Sequence, residues 1–153
     1  MDSIGTPEDQ DREAQRQDLA PEKSKGFYYF AHPYTCKDVT EKAVYAKYVP
    51  EGEQANFELC NQRAARLIEA GYNIYSPISH THPIHRASPV FLARHEHEAW
   101  YALDNELIAR TDFDGVILAP KWEKSTGCVD ERRQFEERRL KVMTYEEALE
   151  AGK

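Results

Sequence analysis

Long apolar runs are missing from this chain. No stretch approaches the roughly 18 consecutive apolar residues that a membrane-spanning helix needs, so no membrane partner is expected. Cysteine is scarce: Cys36, Cys60 and Cys128 stand far apart, without a CxxC pair. An odd count at such spacing argues against a disulfide framework and against a thiolate zinc site. With no secretion signal visible, reduced thiols in a cytoplasmic compartment are the expectation. Basic charge is short as well. The 20 Lys and Arg stand against 27 Asp and Glu, a net charge of −7, which disfavours the broad basic surface that a nucleic-acid polymer requires. A small anion is not excluded, because one helix N-terminus can hold it locally.

What remains is ample for one core. The 153 residues are 41% hydrophobic, the size and composition of a single globular domain. Residues 1–25 differ from the rest: polar, acidic and nearly free of large apolar side chains. They cannot bury enough surface to offset ordering entropy and are expected to form a disordered acidic tail, leaving 26–153 as the folded domain.

From Phe27 the pattern is that of an α/β protein. FYYFA, bounded by Gly26 and Pro33, reads as a first strand. A loop of about twenty residues, including Val49, Pro50 and Gly52, should lead to a helix with Phe57, Cys60, Ala64, Leu67 and Ile68 on one face, closed by Gly71. YNIY reads as strand two, followed by a histidine-rich loop to about Pro89. The next helix carries Trp100, Leu103, Leu107 and Ile108. FDGVILA is a nearly continuous apolar strand and should be central. A further helix, the strand LKVMTY and a short terminal helix complete the chain. Strands alternating with helices imply a parallel sheet of about four to five strands in a small flavodoxin-like or Rossmann-like three-layer domain. Sites in such sheets lie beyond the carboxyl ends of the strands, here the loops HPYT, SPISHTHPIH and APKWEKSTG.

Two acidic residues stand out by position. In WEKSTGCVDERRQFE, Gly127 should break the loop and let a helix start near Cys128. Helical spacing then sets Glu131 on a stripe with Cys128 and Phe135. Asp104 falls inside the apolar stripe of Trp100, Leu103, Leu107 and Ile108. Inward carboxylates are costly unless paired or employed, so each either meets an arginine, caps a loop or does chemistry. The turn before Glu131 offers Ser125 and the N–H groups of Thr126, Gly127 and Cys128 to an anion such as phosphate. Two acids converging on one crevice is the arrangement that cleaves a glycosidic bond.

With YYFAHPYT, Asp104 followed by Asp112, and the set Ser125, Gly127 and Glu131, the chain resembles the nucleoside 2-deoxyribosyltransferase superfamily over roughly residues 27–145. The resemblance implies cleavage of the N-glycosidic bond of nucleosides or nucleotides. It implies that Glu131 attacks C1′ to give a covalent glycosyl-enzyme. Asp104 would hold sugar hydroxyls or help protonate the base, and Tyr29, rather than Tyr28, would orient the nucleophile. It also implies a homodimer or higher homo-oligomer and no cofactor. One branch transfers deoxyribose between bases and often has an acid six residues before the nucleophile. The other hydrolyses nucleotides and has a phosphate-binding serine there. This chain has Ser125, which favours the nucleotide N-hydrolase, with the transferase as the alternative. The long loop from Tyr34 to Gln54 and the segment SPISHTHPIHRASP set the chain on a side branch.

Further substrate contacts are expected from His32 and Pro33 in the first-strand loop, from Asp112, from His80 toward base or phosphate, and from Trp122 by stacking on a base. Trp100 is expected to be core instead. Two other classes compete. A non-catalytic nucleotide-binding module is one, since fold does not fix activity. A metal-dependent hydrolase is the other: His80, His82 and His85, with His95 and His97 further on, could bind zinc completed by Glu96 or Asp104. HxHxxH in a loop is not a zinc signature, and no metal is expected. Arg132, Arg133, Arg138 and Arg139 alternate with acids at helical spacing and read as a solvated, ion-paired face or an interface with another subunit.

Overall fold

The structure is a computed structural model. It describes residues 6–8, 24–34, 50–87 and 89–152, with the side chains of 50, 51 and 89–97 outside the description. Four strands, β1 (Phe27–Ala31), β2 (Asn73–Tyr75), β3 (Gly115–Leu118) and β4 (Lys141–Thr144), form one parallel sheet in the order β2-β1-β3-β4. Among the described residues, five α-helices flank it: α1 (Pro50–Glu69), α2 (Pro77–Ala87), α3 (Pro89–Arg110), α4 (Thr126–Glu137) and α5 (Tyr145–Ala151). This is the three-layer Rossmann-like α/β domain expected from the alternating pattern. No helix among the described residues is long and apolar enough to cross a membrane.

The pleat of β1 divides the core in two. Tyr28 and Phe30 point to one side, where they meet Cys60, Ala64 and Leu67 of α1 and Tyr145 and Ala148 of α5. Tyr29 and Ala31 point to the other, with Val116 and Leu118 of β3, Ile108 of α3, and Cys128 and Phe135 of α4. Cys60, Ala64 and Leu67 recur at four and three residues, the period of a helix face buried on a sheet. Full burial of Leu67 contributes about 1.5–3 kcal/mol. β3 is buried at all four positions, as a strand covered on both faces must be. Gly115 is required by close packing: a Cβ there would stand 2.1 Å from the Lys141 carbonyl oxygen of β4. Gly71, at φ +105°, turns the chain out of α1 in a conformation that L side chains avoid. A capping box closes the fold: Glu147 N–H donates to Thr144 Oγ1 and Thr144 N–H to Glu147 Oε1, each at 3.1 Å.

Some elements depart from the sequence reading. Pro50 and Gly52 lie in α1, not in the preceding loop; Pro50 opens the helix, where its missing N–H costs nothing. Ile68, read as part of the buried stripe, is 52% exposed. The histidine-rich segment is helix α2 rather than a loop. Pro77 starts it, and Pro83 inside it removes one backbone bond that burial of Ile78, Thr81 and His82 offsets. Strand two is shorter than YNIY, because the Tyr72 N–H donates to the Leu67 carbonyl at the end of α1, at 3.1 Å, instead of joining the ladder. Most of the expected disordered tail lies outside the described residues. Ser24 and Lys25 are tied to the domain: Lys25 N–H donates to the Gly71 carbonyl at 2.9 Å.

Candidate active site

The chain leaves β1 in one direction toward β2 and returns on its other side as β3. Ligands bind outside the carboxyl ends of the strands at such a reversal. Three side chains converge below that edge. Tyr29 comes from the middle of β1, Asp104 from the inner face of α3 and Glu131 from the second turn of α4. Tyr29 is wholly buried, and the charges of Glu131 and Asp104 both act on its hydroxyl, pushing its ionisation well up after burial itself. Tyr28 points to the opposite side and packs edge-on against Tyr72 at 5.6 Å, so the pleat separates the two tyrosines as expected.

Both acids are held toward their neutral forms. Burial pushes Glu131 up to about 8, with the Asp104 charge adding to it. Burial pushes Asp104 up to about 7. The Tyr29 hydroxyl lowers each, yet it reaches full hydrogen-bond geometry with neither: Tyr29 Oη and Asp104 Oδ1 are both buried without a hydrogen-bond partner among the described residues. The ion pairs among the described residues join neither acid to a base. Two interacting carboxyls raised this far lose their protons in linked steps near neutrality. A form with one acid ionised and one protonated is then accessible, which is what nucleophile and general acid require.

The approach to Glu131 is the N-terminus of α4. Ser125 is its N-cap, with Oγ accepting from Cys128 N–H at 3.2 Å. The helix therefore starts at Thr126, and Gly127 lies in its first turn instead of breaking the loop. The Cys128 N–H, expected to face an anion, is committed to this cap. The Ser125 hydroxyl proton and the first-turn N–H groups of Thr126 and Gly127 remain to donate outward. A Cβ on Gly127 would stand 3.8 Å from Ser125 Oγ and 4.0 Å from Glu131 Oε1. Gly127 thus lies between hydroxyl and carboxylate, and its missing side chain keeps that space open.

The other candidates divide. Trp122 packs against the Tyr29 side of the core, with the Arg132 guanidinium 4.9 Å above its ring. His80 is exposed and its Nδ1 lies 3.2 Å from the Tyr75 hydroxyl, at the margin of the site. Tyr75 escaped the sequence reading. It pairs in register with Tyr29, their rings 6.2 Å apart, and its ionisation is raised by burial and by the Asp104 charge. The signal was available: two tyrosines at matching positions of neighbouring parallel strands share a face.

His32 and Pro33 follow β1, but both His32 ring nitrogens are engaged. Arg63 Nη1 donates to Nε2 at 3.0 Å, and Nδ1–H donates to the Pro33 carbonyl at 2.8 Å. Burial and Arg63 hold His32 neutral, its pKa lowered to about 4. Asp112 does not join the acids. It is exposed beyond the end of α3, at the amino edge of β3, two residues past Arg110, and Arg110 is itself about 9 Å of helical rise from Asp104.

The histidine cluster is built into the wall between α1 and α2. His82 is stacked on Phe57 at 4.4 Å, donates from Nε2 to Gln54 Oε1 at 2.7 Å, and has its Nδ1 2.6 Å from the Tyr34 hydroxyl. That hydroxyl is also 3.0 Å from His85 Nδ1. No three His, Cys, Asp or Glu side chains gather as metal ligands among the described residues. Cys36 and the side chains of His95, Glu96 and His97 lie outside them.

A family model described as "Domain of unknown function (DUF1937)" matches residues 26–147, and the chain belongs to that family. No curated protein matches it.

Proposed function

We propose that this DUF1937 protein cleaves the N-glycosidic bond of a nucleoside 5′-monophosphate, releasing free base and sugar phosphate. The observation that carries the reading is the pair of half-buried carboxyls from separate helices, both acting on Tyr29 and joined to no base among the described residues, beside an open helix N-terminus. The resemblance to the nucleoside 2-deoxyribosyltransferase superfamily supports the same assignment.

In this mechanism the phosphate lies on the Ser125 hydroxyl and the N–H groups of Thr126 and Gly127, with the positive end of α4 behind them. The sugar then extends down α4 to Glu131. The Glu131 carboxylate attacks C1′ as the bond to the base breaks, and Asp104 gives its proton to the departing ring. A glycosyl ester and an Asp104 carboxylate result. Asp104 next takes a proton from water, whose oxygen attacks C1′. The ester bond breaks and its electrons return to Glu131. The anomeric configuration is retained, and Asp104 ends protonated as it began. Attack needs the proton on Asp104 and the charge on Glu131, and positive charge developing at C1′ favours that arrangement. The Tyr29 hydroxyl, free of strong partners, steadies whichever carboxyl is ionised.

A free base in place of water would give transfer. A serine at position 125, where an acid would repel phosphate, favours nucleotide hydrolysis. We further propose a cytoplasmic homodimer or larger homo-oligomer, which light scattering tests. The activity is tested by incubating the protein with nucleosides and nucleoside monophosphates, with and without added free base and with a chelator, and measuring released base. Base release from monophosphates, unaffected by the chelator, is the expected result. Base release that survives Glu131→Ala undiminished would remove the assignment.

A further inference from the structure

Trp100 stands on the inner face of α3 four residues, about one turn, before Asp104. Residues so spaced are neighbours, with Cβ atoms about 5–6 Å apart. Because α3 leads down into the amino end of β3, Trp100 lies above Asp104, nearer the carboxyl edge of the sheet where ligands enter. Its ring meets His85 of α2 edge-on at 6.4 Å. Among the described residues, Trp100 Nε1 is buried with no hydrogen-bond partner, and so are Asp104 Oδ1 and Tyr29 Oη. Buried polar atoms are nearly always satisfied, and each orphan calls for a cause. Here two of the orphans lie on adjacent turns of one helix, and the charge of Asp104 reaches the third, Tyr29. Core packing accounts for the Trp100 ring but not for its N–H.

We propose that Trp100 Nε1–H reads the base, selecting one that carries a carbonyl next to the ring nitrogen that Asp104 protonates; this rests on the N-glycosidase reading above. Indole N–H only donates. Asp104, when it acts as the acid, donates as well. The pair therefore matches two adjacent acceptors on one edge of a base. A 6-oxopurine has them in O6 and N7, whereas a 6-aminopurine places an amino donor where O6 would be. Donor would then face donor in a buried site, and a site built around a hydrogen bond rejects strongly a ligand that cannot make it. The wall order also suits a nucleotide: phosphate at the start of α4, sugar at Glu131, base at Asp104 and Trp100.

The test compares 6-oxopurine, 6-aminopurine and 6-unsubstituted purine nucleoside 5′-monophosphates. kcat/KM is measured for the wild type and Trp100→Phe, and binding is measured by calorimetry on Glu131→Gln with and without Trp100→Phe. The wild type should prefer the 6-oxo substrate over the 6-amino one by roughly 100-fold or more, with the unsubstituted purine between them. Trp100→Phe should bring the ratio within about tenfold, mainly by loss on the 6-oxo substrate. The three-ligand series needs no variant, so it stands even if Trp100→Phe folds poorly. Equal turnover of the 6-oxo and 6-amino substrates, or a preference that Trp100→Phe leaves intact, overturns the inference while leaving the N-glycosidase reading in place. A Trp100-dependent binding preference with no base release from any substrate keeps the inference as ligand recognition and removes the hydrolase reading.

Discussion

Asp130 and Glu131 are adjacent half-buried carboxylates on one helix, and the fold gives them different company. Asp130 lies on the ion-paired side of α4. Its oxygens take Arg133 Nη2 at 2.7 Å and Gln134 Nε2 at 2.9 Å. Arg133 also bonds Glu137, and Arg132 pairs with Glu136. A shallow groove of about 270 Å³ lies on this outer face, lined by Glu123, Lys124, Thr126, Val129, Asp130 and Arg133. Glu131 is rotated by 100° to the inner face, pairs with no cation among the described residues, and is driven toward neutrality by burial. Asp130 needs no explanation beyond surface pairing worth about 0–1 kcal/mol. Glu131 has no such pairing among the described residues, and its position makes sense when the carboxylate is used.

The sharpest break in the comparison is substitution of each acid in turn. Glu131→Gln should cost at least ~10⁴-fold in base release, as removal of a nucleophile does. Asp130→Asn should stay within about threefold, with stability changed by less than about 1 kcal/mol. Asp104→Asn should fall between, at roughly 10²- to 10⁴-fold, the worth of a general acid; its kcat against substrates with better leaving bases checks the role. The pH profile sharpens the point. If the pair works with one proton, kcat/KM should be bell-shaped with its maximum between about 7 and about 8, the two values to which the acids are raised.

A smaller effect separates cap from phosphate site. Ser125→Asn and Ser125→Asp both keep an N-cap acceptor, so thermal stability should hold in each. Only the aspartate repels phosphate. It should lower kcat/KM for nucleotides roughly 10- to 100-fold more than the asparagine does, with nucleosides nearly indifferent.

The smallest effect is on stability. Both acids have folded pKa values above their ordinary ones, so their contribution is complete below about pH 4 and is lost as pH rises through about 7 to 8. Glu131→Gln should melt close to the wild type at pH 5 and a few degrees higher at pH 9, measured by thermal scans.

Much of this frame was legible because side-chain periodicity reports burial directly. Asp104 and Glu131 were found as acids at helix positions that packing would give to leucine, and Tyr29 by the resemblance. The structure brings these three together. The histidine segment was misread because Pro83 suppresses a helix by local propensity, and only the α1–α2 packing of His82 against Phe57 overrides it. Asp112 was misplaced because spacing along the chain says nothing of which sheet edge a loop reaches. Tyr75 could be reached only by aligning strand two with strand one, and the Trp100 N–H depends on which buried atoms go unpaired, which neither composition nor period records. Arg138, read as part of a solvated face, instead bonds the Ile108 and Ala109 carbonyls at the end of α3, a cation at a helix C-terminus.

The most direct test of the account is to follow the side-chain carboxyl carbons of Glu131 and Asp104 by ¹³C NMR as pH is varied. The account has both titrating near neutrality or above, with Asp104→Asn lowering the midpoint of Glu131 because a neighbouring charge is gone. Two carboxyls titrating near pH 4, each indifferent to loss of the other, would contradict it.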